Sequence, residues 1–132
     1  MITRFSPTNM APPFSKYSQG VEIPASARTV IVGGQVGVNP DGSMSDDMKD
    51  QTLQAFQNIE NVLKAKDMGL EDLVETRTYI ISINDLSGYR EGRAAAFKHC
   101  QVYPKPTVAL LVVNSLAQAH WKIEICATAA KL

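Results

Sequence analysis

Glu124 is the acidic residue whose sequence surroundings most favour chemistry. It stands between Ile123 and Ile125 on a predicted strand that is expected to be central in a sheet. An ionised carboxylate is costly there unless it is paired or hydrogen-bonded. Glu124 is therefore either a solvated glutamate on an open strand face or a partly desolvated carboxylate beside a cleft, where it would orient or deprotonate a water molecule.

Two further stretches carry candidate site residues. Tyr17 begins Tyr17-Ser18-Gln19-Gly20 after a proline-rich arm, and its side chain is either packed with the hydroxyl at the surface or part of a site. Gly33 and Gly34 end a predicted strand, and a residue without a side chain lets backbone N–H groups approach a ligand. A glycine pair also ends strands for purely structural reasons, so neither stretch assigns a function by itself.

The other reactive side chains form no known motif. His99 and His120 have no partner at metal-ligand spacing and are predicted to be surface or loop residues. Cys100 and Cys126 are predicted to be reduced, mostly buried thiols, with a disulfide or a nucleophilic thiol as the alternatives. The chain has no Ser-His-Asp order, phosphate-binding loop or metal-binding cluster, so no metal site is predicted.

The composition is that of one domain. The chain has 132 residues, of which 45% are hydrophobic and 20% charged, and a single domain over 1–132 is predicted. Its 13 basic residues balance 13 acidic ones, which disfavours nucleic-acid binding because that binding depends on phosphate neutralisation. No segment has the apolar length of a signal peptide or a membrane span. We therefore expect a soluble, cytoplasmic protein without a membrane partner.

The first half of the chain alternates between two hydrophobic periods. Strands are predicted at 19–24 and 28–36, followed by a proline–glycine turn at 39–42. Apolar residues three and four apart then predict an amphipathic helix over about 46–67, with Gly69 as its stop. A short leading strand at 2–6 is a further candidate.

The second half repeats this alternation. A strand is predicted at 73–83 and a less regular helix from Asn84 to about His99. The continuous apolar run 107–113 predicts a strand buried on both faces. Residues 121–127 alternate, with Ile123, Ile125 and Ala127 inward and Lys122, Glu124 and Cys126 on the other face.

This element order predicts an α/β fold in which two helices pack on one face of a mixed sheet. The other face is then uncovered, and the outward side chains of the 107–113 strand are apolar. Because an exposed apolar sheet face is usually an interface, a homo-oligomer is predicted.

Five stretches, in order along nearly the whole chain, resemble the reactive-intermediate deaminase family, also called RidA or YjgF. They are Tyr17–Gly20, Val32–Pro40, Gln51–Ile59, Asn84–Leu86 and Lys122–Ile125. The second stretch resembles the family's Ser-Gly-Gln strand end and its following turn, with Gly33 in place of the serine.

The resemblance implies a chorismate-mutase-like fold that assembles as a homotrimer with three clefts between adjacent subunits. Family deaminases hydrolyse small enamines or imines, such as 2-aminoacrylate and its imine tautomer, to a keto acid and ammonia without a cofactor. The resemblance further implies that Tyr17, Gly34 and Glu124 line the cleft, with Glu124 near the attacking water. The expected partner is therefore a small-molecule metabolite.

The main departure from the family pattern is Val108, which occupies the position of an arginine that grips the substrate carboxylate in the family. Shifting the register by one or two residues places only Thr107 or Pro106 there. Losing a charge-assisted pair to a buried carboxylate costs about 2–5 kcal/mol. Arg90, near where many members carry asparagine, is either a cation that reaches the ligand from another direction or a solvated helix arginine.

Three functions remain open at this level. The first is a Rid-like hydrolase of enamines or imines with an altered substrate preference, using Glu124 and Tyr17 as catalytic residues and Gly34, Val108 and Arg90 as binding residues. The second is a non-catalytic trimer that binds a small metabolite. The third is an endoribonuclease, a label that some family members carry; the balanced charge and the lack of a His-Lys acid/base set rank it last.

Overall fold

The computed structural model of the protein describes all 132 residues and contains the mixed α/β arrangement that the sequence predicts. Its elements are β1 (Thr3–Phe5), β2 (Gly20–Glu22), β3 (Arg28–Val36), α1 (Met48–Lys64), β4 (Leu73–Ile80), α2 (Leu86–Phe97), β5 (Thr107–Val112) and β6 (Ile123–Lys131). Neither helix has the length and apolar character needed to cross a lipid bilayer.

The main sheet has four strands in the order β3-β6-β4-β5, and it is mixed. Strand β6 runs antiparallel to both of its neighbours, whereas β5 runs parallel to β4. The central place of β6, and therefore of Glu124, is confirmed. Strands β1 and β2 pair separately as a small antiparallel sheet near the N-terminus.

The helices bury one face of this sheet. Ile123, Ile125 and Ala127 of β6 are buried, while the residues between them are only half-buried, as the alternation predicts. Phe56 of α1 is fully buried and meets Phe97 of α2 edge to face, with ring centroids 5.1 Å apart. One hydrophobic core thus lies between the helices and the sheet, and the opposite sheet face has no helix on it.

Helix α1 begins close to its predicted start, but Gly69 does not end it as predicted. Asp47 caps the helix by accepting a hydrogen bond from the Asp50 N–H. The helix ends at Lys64, and the chain then turns through Asp67, which has φ +58°. Gly69 has an extended backbone with φ −137°, so the prediction that it stops the helix is wrong. The left-handed position that ends a helix is usually a glycine, but here an aspartate occupies it.

The prediction that β5 is buried on both faces is also wrong. Strand β5 lies at the edge of the sheet, and Leu110, Leu111 and Val112 are 38%, 46% and 50% exposed. A continuous apolar run usually indicates burial, but within one chain no element covers this edge. The apolar character of β5 is therefore left without a partner in the single chain.

The predicted turn at 39–42 is confirmed. Gly42 has φ +88°, which favours glycine, and its N–H donates to the Asn39 carbonyl at 2.9 Å. The Asn58 amide on α1 donates to the carbonyls of Val36 and Val38 at 3.1 and 2.9 Å. These bonds attach the end of β3 to the helix and so fix the strand that carries Gly34.

Candidate functional site

The carboxylate of Glu124 lies directly against Gly34. The ladder between β3 and β6 shifts register between Val32 and Gln35, so Gly33 and Gly34 form a bulge. A Cβ on Gly34 would lie 2.9 Å from Glu124 Cδ and would overlap Oε2, whereas a Cβ on Gly33 would have no neighbour within 4 Å. The lack of a side chain at position 34 therefore makes room for the carboxylate.

A buried glutamine fixes the entry into β6. Gln51 of α1 is 1% exposed, and its amide nitrogen donates to the carbonyls of Ser45 and His120 at 2.9 and 3.2 Å. Its amide oxygen accepts from the Lys122 N–H at 2.9 Å. These partly buried hydrogen bonds fix the backbone that leads into β6, and they thereby fix the strand that carries Glu124.

Glu124 faces the open side of the sheet together with Tyr79. The two residues are direct cross-strand partners on β6 and β4, and both are half-buried. The next pair on this face is Cys126 and Arg77, and Arg77 Nε lies 3.4 Å from Glu75 Oε1. Sequence reasoning missed Tyr79, and a period of two along the 73–83 strand was the signal that could have placed it on the outward face.

The other predicted site residues lie elsewhere. Tyr17, Arg90 and Val108 line a cavity of about 720 Å³ between α2 and β5. This volume is within the usual range of pockets for small organic ligands, roughly 300–1,000 Å³. The structure therefore brings these three residues together, from the N-terminal arm, a helix and a strand, and it places Tyr17 away from Gly34 and Glu124 within one chain.

The N-terminal arm closes one side of this cavity. The buried Ser18 donates its N–H to the Pro106 carbonyl at 3.2 Å, which attaches the arm to the start of β5. The Tyr17 hydroxyl accepts a hydrogen bond from the Phe14 N–H at 3.1 Å. Tyr17 is half-buried, so its ring forms part of the cavity wall while its hydroxyl is already engaged by the arm.

Within one chain, these two groups of residues face opposite sides of the sheet. Val108 pairs with Thr76, which is fully buried on the side that the helices cover. Glu124 pairs with Tyr79 on the uncovered side. A single chain therefore contains two half-sites: the Gly34–Glu124 half-site on the open face and the Tyr17–Val108 half-site under α2.

Arg93 is the cavity residue that sequence reasoning missed. It lies one helical turn after Arg90, and its Nε and Nη2 atoms are buried without any hydrogen-bond partner. Its guanidinium carbon lies 5.5 Å from the ring centroid of Tyr103 and 5.7 Å from that of Phe97. The spacing of three residues from Arg90 was the signal that could have identified it.

The side chains that line this cavity carry a net positive charge. Its lining contains four cationic side chains and no Asp or Glu; the cations are Lys16, Arg90, Arg93 and Lys98. Burial raises the pKa of the Tyr103 hydroxyl, and the positive charge of Arg93 only partly offsets this effect. Tyr103 therefore remains a neutral hydroxyl beside the guanidinium at neutral pH.

Cys100, His99 and His120 lie away from both half-sites, whereas Cys126 lies on the open sheet face two residues from Glu124. Cys100 and Cys126 are free thiols and half-buried, less buried than predicted. Burial, reinforced by Glu71 and Glu60, raises the pKa of Cys100, which is the opposite of what a nucleophilic thiol needs. His99 and His120 are exposed as predicted, and His99 Nε2 lies 2.8 Å from Glu60 Oε2. No three His, Cys, Asp or Glu side chains lie close enough together to hold a metal ion.

Comparison with known proteins connects this geometry to one family. A family model described as Endoribonuclease L-PSP (Ribonuc_L-PSP) matches residues 8–131. A RutC family protein from Aquifex aeolicus is 32% identical over 117 residues, which are 87% of this chain and 90% of that protein. A 2-iminobutanoate/2-iminopropanoate deaminase from Dermatophagoides farinae is 32% identical over 85 residues, 62% of this chain and 64% of that protein.

The fold comparison agrees with the sequence comparison. The crystal structure of YyfB, a protein of the Rid family from Yersinia pestis, superposes with a TM-score of 0.83 and 28% identity over 98% of both chains. Both the length of the match and the shared mixed sheet with two helices support one assignment. This chain belongs to the Ribonuc_L-PSP family, the family also called YjgF or RidA.

Proposed function

We propose that this protein is a Rid-type hydrolase that converts small enamines or imines to a carbonyl compound and ammonia in clefts between copies of the chain. The observation that carries the proposal is the seating of the Glu124 carboxylate against the Gly34 bulge on an open sheet face. The deaminase name of the Dermatophagoides farinae relative supports the same chemistry.

The open sheet face supports assembly of these copies as a homotrimer of single domains, each comprising residues 1–132. Ile31 of β3 pairs with Thr128 and is 77% exposed on the same face as Glu124. Leu111 of β5 pairs with Tyr79 and is 46% exposed on that face. An apolar surface of this kind is unfavourable in water and is stabilised by contact with another copy.

Assembly would also unite the two half-sites. The Tyr17–Val108 half-site opens beside the edge strand β5, while the Gly34–Glu124 half-site lies on the other side of the same sheet. One chain cannot bring both halves to one ligand. A neighbouring copy that packs its open face against the β5 edge would place its own Glu124 at that cavity, and repetition of this contact closes a ring.

The reaction needs little from the protein beyond positioning. A protonated imine already has an electrophilic carbon, so the site must bind it, exclude bulk solvent and orient one water molecule. In the proposed step, Glu124 accepts a proton from that water as its oxygen bonds to the imine carbon. That proton then goes to the nitrogen. As the C–N bond breaks, the hydroxyl of the intermediate gives its proton back to Glu124, which leaves a carbonyl compound and ammonia; the ammonia takes up this second proton and leaves as ammonium. Tyr17 orients the substrate, while Gly34, Val108 and Arg90 contact it.

The test is hydrolysis of freshly generated imines from several amino acids by the wild type and by Glu124→Gln, with Glu22→Gln as the matched control. Glu22 is an exposed glutamate on β2, away from both half-sites. We expect Glu124→Gln to lose about 10²- to 10⁴-fold in rate, the usual range for a general base, and Glu22→Gln to match the wild type. Wild-type rates equal to buffer would overturn the proposal and favour a protein that only binds a metabolite.

A further inference from the structure

The cavity between α2 and β5 has the charge distribution of an anion-binding site. Four cationic side chains line it and no carboxylate does, whereas the chain as a whole has equal numbers of acidic and basic residues. The excess of cations is therefore local to this cavity. Lys16, Arg90 and Lys98 are solvent-exposed and Arg93 is half-buried, so the charge of Arg93 is the least screened by water and attracts an anion most strongly.

Arg93 is the cation that most needs a partner. Its Nε and Nη2 atoms are buried and make no hydrogen bond, and none of the ion pairs in the structure includes it. Buried charged donors without an acceptor are costly, and the Tyr103 hydroxyl beside the guanidinium is a neutral partner that leaves Nε and Nη2 unsatisfied. A carboxylate is a group that a guanidinium binds with two parallel hydrogen bonds.

Apart from Ser15, the rest of the lining is apolar or aromatic and indicates the body of the ligand. It includes Phe14, Tyr17, Tyr89, Tyr103, Val108 and Leu110. The buried Tyr89 hydroxyl also lacks a hydrogen-bond partner, so the cavity contains a second unsatisfied polar atom. These aromatic and aliphatic side chains favour a ligand that carries an apolar group beside its charge.

We infer that this cavity binds small organic carboxylates that carry an aromatic or bulky aliphatic group, and that Arg93 holds the carboxylate. Arg93 approaches from α2, across the cavity from Val108 on β5, so the cation comes from the opposite wall to the strand on which the family resemblance places its arginine. The inference names the substrate class of the proposed hydrolase and rests on that proposal for turnover. Binding of the carboxylate does not depend on turnover.

The first experiment uses isothermal titration calorimetry on the wild-type protein with three stable probes. They are 3-phenylpropanoate, which has both the ring and the charge, propanoate, which lacks the ring, and 3-phenylpropanamide, which lacks the charge. We expect 3-phenylpropanoate to bind at least about tenfold more tightly than either of the others, because each lacks one of the two recognised groups. Equal binding of the acid and the amide would overturn the inference.

The second experiment compares Arg93→Met with Arg28→Met as the matched arginine control. Arg28 is exposed at the start of β3, where its guanidinium donates to the Lys66 carbonyl, and it does not line the cavity. We expect Arg93→Met to weaken 3-phenylpropanoate roughly 10- to 100-fold and to leave 3-phenylpropanamide unchanged. Arg28→Met should bind both probes as the wild type does. Loss of the acid's advantage in Arg28→Met instead of Arg93→Met would contradict the assignment.

A second variant and a crystal structure test the role of Arg93 further. If Arg93→Met does not fold, Arg93→Lys retains the charge without the bidentate geometry and should give an intermediate affinity. A crystal structure with 3-phenylpropanoate that shows the carboxylate away from Arg93, or a neighbouring subunit's carboxylate bound to it, would refute the inference. If the probe binds through Arg93 but no imine is hydrolysed, the proposed function fails while the binding site stands.

Discussion

Gly34 leaves open the space that the carboxylate of Glu124 occupies. A methyl group on Gly34 would overlap Glu124 Oε2 and would lie 2.9 Å from Cδ. The two residues come from neighbouring strands of the sheet, β3 and β6, at the point where the ladder between them is interrupted. The absence of a side chain at Gly34 on β3 therefore determines where the Glu124 carboxylate lies.

Gly34→Ala is therefore expected to displace the Glu124 carboxylate and to reduce kcat/KM for imine hydrolysis about 10- to 100-fold, as small misplacements of catalytic groups do. Because the atom it meets is the end of a flexible side chain, the melting temperature should stay near that of the wild type. Gly33→Ala is the control, since a Cβ there has no neighbour within 4 Å. Equal activity of the two variants would show that the position of Glu124 does not matter.

Ile31→Glu is expected to disrupt assembly. Ile31 is 77% exposed on the open sheet face, and an unpaired charge buried in an interface there would cost about 3–5 kcal/mol. Size-exclusion chromatography with light scattering should give a trimer for the wild type and a smaller species for the variant. Val62→Glu, at a 39% exposed position on α1, is the control and should remain trimeric. A monomeric wild type at micromolar concentration would contradict the assembly itself.

Val108→Arg should change the substrate preference. The new guanidinium would fill part of the cavity and bring a cation to β5, so activity on 2-aminoacrylate should rise while activity on bulky imines falls. Val108→Met adds similar length without charge and should reduce activity on bulky imines without the gain on 2-aminoacrylate. The ratio of kcat/KM for the two substrates, measured in each variant, checks this; an unchanged ratio in Val108→Arg would mean that Val108 does not contact the ligand.

Cys100 should react slowly with alkylating reagents near neutral pH. Burial, together with Glu71 and Glu60, raises its pKa above that of an unstructured cysteine. Its contribution to the free energy of unfolding is therefore present below the unfolded pKa, about 8.5, and is lost as the pH rises through the folded pKa. Iodoacetamide labelling followed by mass spectrometry should give a higher midpoint than a peptide of residues 98–102. A midpoint at or below that of the peptide would disprove the shift.

Gly92→Ala should destabilise the contact between the helices. A Cβ there would lie 2.6 Å from the Lys49 carbonyl oxygen and 2.6 Å from Thr52 Cβ, and the backbone cannot easily move away. We expect a loss of about 1–3 kcal/mol in the free energy of unfolding, reduced by the roughly 1 kcal/mol that alanine gains in helix propensity. A Cβ on Gly88 would lie 2.9 Å from Met48 Cβ and 3.0 Å from its Cγ, so Gly88→Ala should also destabilise in urea denaturation, but by less than Gly92→Ala, which meets a backbone carbonyl. A larger loss at Gly88 would contradict this.

Local patterns predicted most of the elements. The strand at 28–36 has the predicted bounds, and the alternation from Ile123 to Ala127 correctly separated buried from open residues. These features depend on neighbours in the sequence, so periodicity suffices to find them. The end of α1 was predicted wrongly, because Asp67 and not Gly69 has the left-handed conformation that follows the helix.

Features that depend on strand order could not be predicted. The apolar run of β5 indicated burial, yet its place at the sheet edge leaves Leu111 exposed in one chain. The cross-strand pairing of Tyr79 with Glu124 and the isolation of Arg93 in the cavity depend on which elements become neighbours. No local pattern shows which elements become neighbours. For the same reason, the sequence could not show that the sheet separates Glu124 from Val108.

If the two half-sites meet between neighbouring chains, as proposed, then damage in one chain can be complemented by another. Glu124→Gln removes the acid from one side, and Arg93→Met removes the cation from the other, so each homogeneous assembly is defective in every cleft. When the two variants are unfolded, mixed in equal amounts and refolded, random association leaves about one cleft in four with both groups intact. Recovery of activity in the mixture, from two preparations that each have almost none, is the behaviour expected of a catalyst whose working unit is the contact between chains.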